Sequence, residues 1–143
     1  MTEREIQIKL FKEYCKSYKI LIPNYTTPFE MDLFGVTKTG YGVEFEIKIS
    51  LSDYKRDKEK VKHKYYKTKN TIMPNRFYYV LCFDEFVEYP SEYAGIIRFE
   101  YGKPVIKVKA PLIHKDRVSQ HKLDNISKCL MYRTFNWMEG KYK

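Results

Sequence analysis

Apolar residues recur at helical intervals through Ile6, Leu10, Phe11, Tyr14, Cys15 and Tyr18. Thr2 and Glu5 have the spacing of a capping box, so residues 2–19 are predicted to form a helix. Ile20–Ile22 is a short strand candidate, stopped by Pro23 and Asn24. Residues 29–36 and 42–50 alternate in polarity and read as a hairpin turning at Thr37–Gly40, with glycine where a positive φ is needed. Residues 52–69 form a highly charged helical segment, begun by Ser50 or Ser52 and ended between Asn70 and Pro74. Arg76–Phe83 is nearly continuously apolar, as in a strand buried on both faces. After an irregular stretch over 84–93, Ala94–Phe99 and Val105–Lys109 suggest a second hairpin around Tyr101–Pro104. A closing helix is predicted over Asp116–Trp137, with Leu123, Ile126, Leu130 and Trp137 on one stripe. This order predicts a mixed α/β (α+β) fold, a single domain over residues 1–143.

Composition narrows the class. A chain 43% hydrophobic and 17% aromatic can bury a core, which excludes a disordered protein despite its charge. No run approaches the ~18 apolar residues of a membrane helix. The first ten residues carry charges where a signal peptide carries its apolar run, so a cytoplasmic protein with no membrane partner is expected. Cys15, Cys82 and Cys129 are odd in number and scattered, which argues against a disulfide framework and for a reducing compartment. The formal charge of +9 points to an anionic partner, nucleic acid first. Its distribution matters more than its size.

Residues 30–46 hold four acids against one base, whereas residues 55–69 hold eight bases against two acids. In the first hairpin, strand alternation puts Met31, Leu33, Val43, Phe45, Ile47 and Ile49 on one face. Glu30, Asp32, Glu44, Glu46 and Lys48 lie on the other. A turn centred near Thr39 pairs residues whose numbers sum to 78, so Asp32 faces Glu46 and Glu30 faces Lys48. Opposed carboxylates about 5 Å apart repel, and one of them takes a raised pKa unless a cation intervenes. Mg²⁺ suits such a place, since it favours one or two carboxylates with water and phosphate oxygens.

Asp32, followed across a tight hairpin by Glu46-Ile47-Lys48 and preceded by an N-terminal helix, resembles the PD-(D/E)XK nuclease superfamily. Ser50-x-x-Asp53-Tyr54-x-x-Asp57 and the Phe77–Val80 strand resemble one small branch, short phage and bacterial proteins associated with DNA repair and recombination. The resemblance covers residues 2 to about 83, and Met31 stands where proline precedes the aspartate in the family's name motif. It implies a restriction-endonuclease-like αβββαβ core, here with an extra hairpin and a C-terminal helix. It also implies a metal-dependent DNA endonuclease or exonuclease that hydrolyses phosphodiester bonds. Asp32 and Glu46 would ligate Mg²⁺ or Mn²⁺ with the carbonyl of Ile47, and Lys48 would orient the attacking water or stabilise charge on the phosphate. Some members use a glutamate of the first helix, for which Glu5 and Glu13 are both candidates.

The basic segment supplies the other half of such a site. On one continuous helix, Tyr54, Lys58, Val61 and Tyr65 form a narrow stripe against the sheet. Lys55, Arg56, Lys58, Lys62 and Lys64 are candidates for phosphate-backbone contact, with DNA as the expected partner and RNA of the same chemistry. His63 reads as a surface residue or phosphate contact rather than a catalytic base. Tyr65–Tyr66 and Phe86, Tyr89 and Tyr93 are candidate stacking platforms for unpaired bases. Core packing is the expectation for Met131, Phe135, Trp137 and Met138, with a homodimer face or a lid over the sheet as the alternative uses of that helix end. The competing functional reading is a catalytically silent nucleic-acid-binding module on the same scaffold.

Overall fold

The capping box forms as the spacing requires: Thr2 Oγ1 accepts from Glu5 N (3.2 Å), and Glu5 Oε2 accepts from Thr2 N (2.8 Å). It starts α1 (Glu3–Tyr14) in a computed structural model that describes residues 1–88 and 92–141. α1 ends earlier than its periodicity suggests. Tyr18 begins strand β1 (Tyr18–Tyr25) and contributes its ring to the same core from there, 5.9 Å from Tyr14 and 6.0 Å from Phe45. β1 is therefore eight residues rather than the three expected, and it runs through Pro23, which an edge strand tolerates.

The remaining elements are β2 (Met31–Thr37), β3 (Gly42–Lys48), α2 (Leu51–Asp57), α3 (Lys62–Lys67), β4 (Arg76–Leu81), β5 (Ala94–Glu100), β6 (Lys103–Val108) and α4 (Gln120–Met138). The strands form one mixed sheet in chain order, β1-β2-β3-β4-β5-β6. β3–β4 and β4–β5 are parallel, and the other pairs are antiparallel. The fold is thus mixed α/β, with a six-stranded sheet and four helices among the described residues. No helix among the described residues is long and apolar enough to cross a membrane.

Three packing clusters hold the layers together. Ile6 and Leu10 of α1 cover Leu33, Val43, Phe45, Ile47, Tyr78 and Val80 on one face. On the other, Tyr54 and Tyr66 pack on Phe77, Tyr79 and Leu81. Ile126 of α4 closes Ile22, Phe34 and Val36 near the β1 edge, and Met31 joins this cluster rather than Leu33's. Ile49, expected in the core, is exposed. Close packing also decides Gly95: a Cβ there would stand 2.6 Å from the backbone nitrogen of Ala110 and against the Tyr78 ring. Gly40 takes φ +96° in the first hairpin turn, as its position demands.

The segment 52–69 is not one helix. Ser50 caps α2 by accepting from Asp53 N at 3.2 Å, and α2 stops at Asp57. Through Lys58–Val61 the chain tightens to i→i−3 bonds: Glu59 N to Arg56 O, Lys60 N to Asp57 O and His63 N to Lys60 O. There is no proline or glycine in this break. Its cause is tertiary: residues two apart on an α-helix point about 200° away from each other, yet Lys60 and Lys62 both reach Glu46.

Candidate active site

The β2–β3 hairpin pairs Leu33 with Phe45, Phe34 with Glu44 and Val36 with Gly42, the expected register. Beyond Leu33–Phe45 the ladder stops. There the Asp32 carboxylate accepts the backbone N–H of Ile47 at 2.7 Å, which anchors it beside Glu46. Gln7 of α1 donates to the Asp32 carbonyl at 2.7 Å and holds the strand end against the helix. Asp32, Glu46, Glu30, Lys60 and Lys62 line one cleft of ≈ 290 Å³. Burial, and then the charge of Glu46, push the Asp32 carboxyl up to about 8 despite the Ile47 hydrogen bond.

A helix-1 carboxylate does come to this place, and it is Glu3. Its charge and hydrogen bonding raise Asp32 further. Glu5 is spent on the cap of α1. The signal that singles out Glu3 is positional and needs the tertiary fold, because only the crossing of α1 over the end of β2 brings the two together.

The polar face of β3 is not wet. Glu44, Glu46 and Lys48 are all buried. Lys62, at 3% exposure, donates to Glu44 Oε2 (2.6 Å), Glu46 Oε2 (2.9 Å) and the Glu30 carbonyl (3.1 Å). Tyr66 donates to the second Glu44 oxygen at 2.6 Å. Burial raises the Glu44 pKa, and Lys62 pulls against it. Burial also opposes the charges of Glu46 and Lys62, but their partners prevail: Lys62 and then Lys60 hold Glu46 below its ordinary value, and Glu44 and then Glu46 hold Lys62 above.

Lys48 does not face Glu30. It lies 2.8 Å from Asp57 Oδ1 and 3.2 Å from Glu46 Oε1, so α2 rather than β2 orients it. Asp57 in turn sits 2.6 Å from His63 Nε2 and accepts from the Tyr79 hydroxyl at 2.8 Å. The Tyr93 hydroxyl stands 2.6 Å from His63 Nδ1. Burial works against the Asp57 charge, yet His63, Lys48 and Lys60 together hold its pKa far below the usual range. His63, read from sequence as a surface residue, is therefore a buried link in the support of Lys48.

The five basic candidates divide. Lys55, Arg56, Lys58 and Lys64 are exposed, whereas Lys62 turns inward onto the carboxylates. The break after α2 also breaks the expected stripe: Tyr54 is buried, but Lys58 and Val61 face solvent. Lys60, about half exposed, reaches Glu46 Oε1 at 2.6 Å and Asp57 Oδ1 at 2.9 Å from the rim. Among the stacking candidates, Tyr66 is buried, Tyr65 packs 5.3 Å from Phe29, Tyr93 is half-buried on His63 and Phe86 is exposed. Tyr89 lies outside the described residues. Met131, Phe135, Trp137 and Met138 are exposed, not core.

The chain matches no protein-family model and no curated protein. Its fold has a solved counterpart. The SPO1766 protein of unknown function from Silicibacter pomeroyi is similar with a TM-score of 0.62 at 14% identity, over 98% of this chain and 90% of that one. At that identity the likeness speaks to the fold alone.

Chemically, the cleft sets the Asp32 carboxylate, held on the Ile47 N–H, beside a Glu46 carboxylate that Lys48, Lys60 and Lys62 pair with. Among the described residues no group of three or more His, Cys, Asp and Glu side chains is spaced to hold an ion. Asp32 and Glu46 form instead a two-carboxylate set of hard oxygen donors. That set suits Mg²⁺, which keeps water and phosphate oxygens in its remaining positions.

Proposed function

We propose that the protein is a Mg²⁺- or Mn²⁺-dependent nuclease of the restriction-endonuclease-like kind that acts on DNA. The carrying observation is the Asp32 carboxylate, anchored on Ile47 N–H beside Glu46 and raised to about 8, with the Lys48 ammonium 3.2 Å from Glu46. The order α1-β1-β2-β3, helices, β4 with a parallel β3–β4 pair supports the reading, since the αβββαβ core has this order. Asp32, Glu46 and the Ile47 carbonyl would hold the ion, and Glu3 extends the acidic wall. A metal in this place supplies a Lewis acid and a water of lowered pKa.

The chain's own groups do the rest. Asp57, fixed by His63 and Tyr79, holds Lys48 by a 2.8 Å ion pair and so keeps its charge beside Glu46, a carboxylate of the cleft. There the ammonium orients a water and stabilises negative charge on a phosphate. Lys60, half-exposed on the rim, is the partner that would yield Glu46 Oε1 to a metal ion. Lys55, Arg56, Lys58 and Lys64 contact the phosphate backbone without reading sequence.

The test is cleavage of plasmid and oligonucleotide DNA with Mg²⁺, Mn²⁺ or EDTA. Wild type cuts only with metal, while Asp32→Ala and Lys48→Ala variants, folded by circular dichroism, do not. Equal nicking by all three proteins marks a contaminant and ends the assignment. One observation favours the silent binding module: both Glu46 oxygens already carry lysine partners. That reading predicts salt-sensitive DNA binding indifferent to metal and to Asp32→Ala.

A further inference from the structure

A second concavity adjoins the carboxylate cleft from the far side of Asp32. It is a groove of ≈ 990 Å³ between α1 and α4, across the β1 edge of the sheet. Glu3 and Gln7 line it, and these residues of α1 also act on Asp32, so the groove comes within one side chain of the cleft although the two share no lining residue. α1 presents Arg4, Ile8 and Phe11 to the groove, and α4 presents Arg133 and Trp137. Trp137 is 68% exposed and Phe11 52%, too much apolar ring for a finished core. Arg133 donates to the carbonyls of Pro23 and Asn24, which fixes its guanidinium on the groove wall one helical turn from Trp137.

We propose that this groove binds unpaired nucleotides, so that the substrate is DNA with a single-stranded segment leading into the cleft. Three features select that occupant. Bases stack on exposed aromatic faces whatever their identity. The groove's two arginines outnumber its one carboxylate, Glu3, which suits a polyanion. Nearness to Asp32 through Glu3 and Gln7 places a bound strand beside the cleft rather than on an unrelated face. The inference rests on the nuclease reading for its biological sense, but the binding it describes needs neither metal nor cleavage.

Trp137 is the chain's single tryptophan, so it reports on its own site. The experiment titrates the protein in EDTA with an oligothymidylate and, separately, with a blunt hairpin duplex of equal nucleotide count. Oligothymidylate is expected to quench the tryptophan emission saturably. By fluorescence anisotropy of the labelled oligonucleotide, Trp137→Ala should weaken its binding about tenfold, the loss of one stacked base, and change hairpin binding less than twofold. Phe11→Ala should act in the same direction. Both side chains are solvent-facing, and melting curves check that the variants fold. Oligothymidylate binding with unchanged emission and equal affinity in Trp137→Ala overturns the proposal, as does no binding at all. A dimer by light scattering whose emission ignores the oligonucleotide overturns it too, and assigns the groove to a second copy of the chain. Failed cleavage beside intact groove binding would sink the nuclease reading alone, and Asp32-dependent cleavage without groove binding would sink only this inference.

Discussion

Replacing Asp32 by asparagine should stabilise the metal-free protein at alkaline pH, the reverse of what removing a structural carboxylate does. Asparagine keeps an oxygen to accept the Ile47 N–H, so the anchor survives while the charge goes. Two like charges about 5 Å apart at an effective dielectric of about 20 repel by about 3 kcal/mol. The lysines on Glu46 and solvent in the cleft reduce that share to about 1.5 kcal/mol, and burial of the Asp32 charge, the larger cause of its raised pKa, adds to it. For a chain of this length the repulsion alone is worth about 3–6 °C in Tm, and relief of the buried charge adds to that. The sign with pH follows from linkage. Folded Asp32 holds its proton up to about 8, whereas the unfolded chain releases it near about pH 4, so wild-type stability declines as pH rises between these values. The variant lacks that decline, and the two melting curves should coincide near pH 4 and separate progressively up to about pH 8. Differential scanning fluorimetry in EDTA across this range measures it. A variant that melts at or below wild type at pH 8 refutes the crowded-carboxylate account of the site.

Three further outcomes follow from the buried network. Lys62→Met should cost about 3–5 kcal/mol in urea denaturation by stranding the Glu44 charge, and adding Glu44→Gln should restore part of the loss in a double-mutant cycle. Asp57 is held below its ordinary pKa, so it contributes stability above about pH 4 that is lost as pH falls below this value. Asp57→Asn should therefore flatten the acid limb of the stability profile and, under the nuclease reading, slow cleavage by releasing Lys48. Gly95→Ala should destabilise by about 1–3 kcal/mol, since the added methyl meets the Ala110 backbone and the Tyr78 ring, neither of which can yield cheaply. Chemical denaturation at constant pH checks that value.

The capping residues of α1, the first hairpin, the apolar β4 strand and the second hairpin were legible because each leaves a local signal: a cap, an alternation, a turn glycine. The register of Leu33–Val36 on Gly42–Phe45 was legible for the same reason, since a short turn fixes pairing by counting, whereas Asp32 lies beyond that ladder and bonds to the Ile47 N–H. The end of α1 was not, because Tyr18 serves one core equally from a helix or a strand. Exposure at the end of α4 was missed because an amphipathic stripe states only that one face is apolar, not how far the sheet beneath it extends.

By itself, then, the sequence determined an acidic hairpin beside a basic segment, and with it Asp32, Glu46 and Lys48 as neighbours on one face. Only the tertiary structure decided what each charge does. It broke the basic segment at Lys58–Val61 so that Lys60 and Lys62 reach Glu46, moved His63 inside to support Asp57, and carried Glu3 over the end of β2. Spacing along a chain reports which side chains share a strand face, because that geometry is set within a few residues. Which cation neutralises a buried carboxylate is set by long-range packing, where desolvation makes each unpaired charge expensive and forces the backbone to bring a partner.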